Sequence, residues 1–65
     1  MIVVNGEDSA VTPGTTISEL LVVLDAPARG VAVAIDSEVV PRGEWDDFAI
    51  EDDTRVEVLT AVQGG

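Results

Sequence analysis

At 65 residues the chain has room for one small domain, and a domain of that size buries only about 60% of the surface its unfolded form exposes, so a deep ligand pocket is not expected. It has no cysteine and no histidine, which removes disulfides, thiolate chemistry, the usual zinc sites and the side chain best suited to acid–base work near neutral pH. Thirteen acids against three arginines leave a net charge of −10, a surface that aids solubility, repels nucleic acid and anionic membranes, and favours basic partners.

The chain opens with the β-branched run Ile2-Val3-Val4, closed by Asn5-Gly6. That dipeptide is a strong hairpin signal, because both central residues of a type I′ turn need positive φ. Ser9 to Thr12 is the expected returning strand, stopped by Pro13-Gly14. Thr16-Ile17-Ser18-Glu19 has the form of a capping box. Ile17, Leu20, Leu21 and Leu24 then recur at i, i+3, i+4 and i+7, the apolar stripe of an amphipathic helix. The helix is expected to run to Leu24 or Asp25, with Pro27 as its stop.

After Gly30, the run Val31 to Ile35 alternates bulky residues with alanines, as a strand with two different faces does. Asp36-Ser37 turns the chain into Glu38-Val39-Val40, which Pro41 cuts short. Pro41 to Trp45 has the composition of a tight turn or single helical turn that sets Trp45 on the core. Phe48-Ala49-Ile50 and the polar turn Glu51 to Thr54 lead to Arg55 through Val62, the longest strand candidate. This order predicts an α+β domain, a mixed sheet of four to five strands with one helix packed across one face. In the β-grasp version of that plan the first and last strands pair in parallel at the centre. Residues 1–62 form the domain, and 63–65 a flexible tail.

The closing Ala61-Val62-Gln63-Gly64-Gly65 puts an α-carboxylate beside two residues that lack a Cβ. Nothing on Gly64 or Gly65 obstructs entry into a narrow channel, and Gln63 extends the reach. With a reference pKa of about 3.3–3.7 the carboxylate is ionised at neutral pH and can act as a nucleophile. Strand alternation adds a candidate docking face: if Ile2, Val4, Val33, Ile35, Val56 and Val58 face the helix, then Val3, Ala32, Ala34, Leu59 and Ala61 face away, forming a flat apolar patch beside the tail. Asp46-Asp47 and Glu51-Asp52-Asp53 match no EF-hand loop and read as solvated turns, so no metal site is expected. The longest apolar runs are five residues, and no basic-then-apolar leader precedes them; a cytoplasmic, non-membrane protein is expected.

Val33-Ala34-Ile35-Asp36, then Val39-Val40-Pro41-Arg42 followed by Trp45, the Glu51-Asp52-Asp53 turn before Val56-Glu57-Val58, and the terminal Gly64-Gly65 together resemble the ThiS family, the sulfur carriers of thiamine biosynthesis. A Gly-Gly ending alone fits ubiquitin and the small subunit of molybdopterin synthase equally. The Val-Pro-Arg-x-x-Trp segment is what favours ThiS. The family often has Asn at the position of Asp36 and Gly-Asp at that of Asp52-Asp53, and the residues here are turn formers as well. The resemblance implies a ubiquitin-like β-grasp and a protein that is a co-substrate, not an enzyme. It also implies a Gly65 carboxylate adenylated by a ThiF-like enzyme that consumes ATP, then converted to a thiocarboxylate that delivers sulfur to a ThiG-like thiazole synthase. No permanently bound cofactor and a monomeric free state are expected. A carrier for molybdopterin or another sulfur-requiring pathway, and a noncovalent β-grasp adaptor, remain the alternatives.

Overall fold

The computed structural model describes residues 1–26 and 29–60. Five strands, β1 (Ile2–Val4), β2 (Glu7–Ser9), β3 (Val31–Ile35), β4 (Glu38–Val39) and β5 (Arg55–Thr60), form one sheet in the order β2-β1-β5-β3-β4. β5 pairs in parallel with β1 and antiparallel with β3. With helix α1 (Ile17–Val23) against one face, this is the expected β-grasp.

The helix forms where the sequence places it, and every amide of its first turn has a partner. Thr16 Oγ1 accepts from the Glu19 amide at 3.1 Å, and Glu19 Oε1 accepts from the Thr16 amide at 2.9 Å, completing the capping box. The Ile17 and Ser18 amides donate across to the carbonyls of Phe48 and Trp45, while Ser18 Oγ donates to Asp46. Of the four donors that a helix start usually leaves to solvent, two thus close the capping box and two stitch α1 to the 45–49 segment. Ile17, Leu20 and Leu21 carry the buried stripe, joined by Ile2, Val33, Ile50 and Val56, each at most 1% exposed apart from Leu21. Trp45, set down by the 3₁₀ turn Arg42–Glu44, is buried and donates Nε1–H to the Val40 carbonyl at 2.9 Å. The Arg42 guanidinium lies 5.8 Å from the indole centroid, within cation–π range.

Three boundaries differ from the sequence expectation, the least of them at β4, which ends at Val39 and leaves Val40 just beyond the strand. β2 is Glu7–Ser9, not Ser9 to Thr12: the two-residue turn, with φ 51° at Asn5 and 82° at Gly6, pairs Val4 directly with Glu7. The polar Glu7-Asp8 conceals a strand whose side chains face water. Helix α1 ends at Val23, and Leu24 is 42% exposed instead of completing the stripe. The stop is a Schellman motif. Asp25 takes φ 54° and donates its amide to Val22 O, while the Ala26 amide returns to Leu21 O. Pro27 lies outside the described residues.

The β3–β4 turn is also type I′-like, with φ 49° at Asp36 and 73° at Ser37. Serine has no side-chain reason to hold that left-handed conformation. Ser37→Gly is therefore expected to stabilise the domain by about 1 kcal/mol, a rise in Tm of about 4–8 °C in a thermal melt. Thr16→Ala should lower stability by about 1 kcal/mol through loss of the cap.

Candidate functional site

The tail follows β5, and β5 is held on both sides. On the β1 side, the Val3 amide donates to Thr54 O at 2.9 Å, the Asn5 amide to Val56 O at 2.8 Å, and Asn5 Oδ1 accepts from the Val58 amide at 2.8 Å. On the β3 side the ladder runs from Ile35↔Val56 to Val31↔Thr60. Val56 is fully buried. Thr60 is the last described residue, so Ala61, Gln63, Gly64 and Gly65 lie outside the described residues.

The register fixes which side chains share the face opposite the helix. Ala32 lies directly opposite Leu59, Ala34 opposite Glu57, and Val3 opposite Arg55. The alternation expected from the sequence therefore holds, but the apolar patch is not continuous. Arg55 and Glu57, both exposed on the central strand, stand between Val3 and the alanines of β3. Ala32, Ala34 and Leu59 remain together, with Leu59 61% exposed at the end of β5 nearest the tail. A shallow depression of about 300 Å³ is lined by Gly30, Val31, Ala32, Leu59 and Thr60.

Sequence reasoning missed Val39, which pairs with Ala34 on this same face and is 69% exposed. The signal was present: a two-residue turn at 36–37 sets the parity of β4, placing Val40 inward and Val39 outward.

The electrostatics at the other end of β5 are set by the Met1 α-ammonium. It lies 2.6 Å from Asp52 Oδ1 and 2.9 Å from Asp53 Oδ1, tying the start of β1 to the turn before β5. Hydrogen bonding to Asp52 first and Asp53 second raises its pKa from 8.0 to about 10. Asp52 is correspondingly held below its ordinary 3.8, chiefly by the same bond and then by the Asp53 backbone. The raised amine contributes stability fully below pH 8.0 and loses it as pH rises through about 10. Asp52 contributes above pH 3.8 and loses its share as pH falls through its lowered value. In this exposed setting the effect on stability is small. An NMR titration should place the α-amine near 10 in the intact chain, and Asp52→Asn with Asp53→Asn should return it toward 8.0.

A model of the ThiS family matches residues 2–65. Over 64 residues the chain is 31% identical to sulfur carrier protein ThiS of Escherichia coli K12, spanning 98% of this chain and 97% of that protein. It is also 31% identical over 64 residues to a thiazole synthase of Paramagnetospirillum magneticum, where the match covers 98% of this chain but 20% of the larger protein. The crystal structure of thiamine biosynthesis protein ThiS from Geobacter metallireducens aligns with a TM-score of 0.83 at 34% identity, covering 98% of this chain and 97% of that one. The NMR solution structure of a thiamine biosynthesis protein from the same organism gives 0.79 at 31% identity, with 98% and 86% covered.

Proposed function

The chain belongs to the ThiS family, and on that premise we propose that it is the sulfur carrier of thiamine thiazole biosynthesis, with the Gly65 carboxylate as its reactive group. The observation that carries this reading is that the family match runs through residue 65 and so includes Gly64-Gly65. A carboxylate oxygen of Gly65 attacks the α-phosphorus of ATP on a ThiF-like partner, and pyrophosphate leaves. A persulfide sulfur then displaces AMP from the acyl carbon, forming an acyl disulfide. A second thiol attacks the sulfur distal to the acyl group, releasing the thiocarboxylate and leaving an ordinary disulfide between the two thiol sulfurs. The carrier contributes no general acid or base to these steps. Its role is presentation, from a strand fixed by ladders on both sides.

The acceptor is a ThiG-like thiazole synthase. Support comes from the Paramagnetospirillum protein, in which a segment like this chain makes up a fifth of a thiazole synthase. Fusion holds a carrier and its acceptor at high effective concentration, which is useful only when the two work together. The docking face proposed for these partners is the cluster of Ala32, Ala34 and Leu59, with Val39 beside it.

Intact-mass measurement tests the reading directly. After incubation with ATP, the cognate adenylating enzyme and a sulfur donor, the mass should rise by the exchange of one oxygen for sulfur, and deletion of Gly65 should abolish the shift. An unchanged mass under conditions that load a known ThiS would instead favour a noncovalent adaptor. Gly65→Ala and Gly64→Ala should slow adenylation without altering the melting curve. Leu59→Asp should weaken partner binding while leaving the fold intact, because Leu59 is exposed.

A further inference from the structure

A groove of about 610 Å³ lies beside the β4 edge of the sheet; of the residues on the docking face proposed above, Val39 lines it and Ala32, Ala34 and Leu59 do not. Its walls include the apolar side chains of Ile35, Val40 and Phe48. Around them stand Glu38, Glu44 and Glu51, none of which forms an ion pair or side-chain hydrogen bond among the described residues, and no arginine lines the groove. An apolar floor with an unneutralised acidic rim has a definite complement: the aliphatic stem and cationic head of an Arg or Lys side chain.

The backbone of β4 is half used. Ile35 pairs with Glu38 next to the turn, and the Val40 amide donates to Val33 O at 2.9 Å. By antiparallel alternation, the amide and carbonyl of Val39 between them point away from β3. No described strand lies beyond β4 in the sheet order. Thr54 is only 7% exposed and lines the groove, yet its hydroxyl has no hydrogen-bond partner among the described residues. Because no fully buried side-chain polar atom among the described residues lacks a partner, this hydroxyl is not fully buried, and Thr54 is one of the residues that line the groove.

The geometry points to this groove as a docking site for an extended basic segment of a protein partner, which pairs with the free Val39 backbone and sets an Arg or Lys side chain over the apolar floor among Glu38, Glu44 and Glu51. A second copy of the chain is a poor occupant, since each copy carries −10. Backbone pairing supplies affinity and the rim supplies charge selection, as in other strand-addition complexes. The inference is independent of the chemistry at Gly65, and its test involves no sulfur transfer.

The probe is the acetylated, amidated pentapeptide Val-Arg-Val-Arg-Val, titrated into the full ¹⁵N-labelled chain at physiological salt. Amide shifts should saturate and concentrate at residues 38–40, 48–51 and 54. Replacing both arginines of the probe with glutamine should remove the saturable response. Glu38→Gln combined with Glu51→Gln, both on exposed positions, should weaken binding about five- to tenfold while leaving the rest of the spectrum unchanged. Shifts spread over Glu7, Asp8, Asp46 and Asp47, affinity insensitive to the double substitution, or no shift at millimolar peptide would each overturn the proposal.

Discussion

The pairing of β5 with strands on both of its sides is the constraint on which the rest of the molecule depends. β1 holds it in parallel and β3 holds it antiparallel, and Val56 near its start is fully buried on the helix side of the sheet. Asn5 shows how tightly this is arranged. Its backbone sits in the left-handed conformation that the β1–β2 turn needs, its amide bonds Val56 O, and its side chain bonds the Val58 amide. One residue thereby fixes a turn and the register of a strand more than fifty positions away. For a carrier whose proposed reactive group follows β5, a firmly placed strand end is what makes the tail's starting point reproducible.

The second device is the closure of the helix start on the 45–49 segment. α1 is short, seven residues, and a helix of that length is not stable by itself. It is held because its first amides bond to a capping side chain and to two carbonyls of the loop that also delivers Trp45. The loop and the helix end stabilise each other. The buried Trp45 indole, anchored on Val40 O, carries this support to the end of β4.

The sequence was most legible where local chemistry and burial agree. The Ile17-Leu20-Leu21 stripe, Val33 of β3 and Trp45 combine a side-chain signal with a buried outcome, and the exposed capping box is written in its own side chains. It was least legible where the backbone acts without an apolar signature. β2 carries Glu7 and Asp8 outward, so its pairing is visible only in the hydrogen-bond ladder. The helix stop depends on Asp25 adopting a positive φ, which aspartate tolerates but does not announce. On the outer face the sequence carries parity but not continuity. Alternation along each strand predicts which residues share a face, whereas the intrusion of Arg55 and Glu57 follows from the cross-strand register.

The parallel β1–β5 contact also bears on how the chain reaches its structure. The hydrogen bond from the Val58 amide to Asn5 spans 53 positions, and pairings so distant in sequence are rewarded only after the intervening loop has closed. During synthesis the N-terminal hairpin is made first but lacks its central neighbour until residues 55–60 have emerged. The strand that completes the sheet is also the one from which the proposed reactive tail continues. A chain whose β5 has not yet paired therefore has no fixed strand end for that proposed tail to continue from.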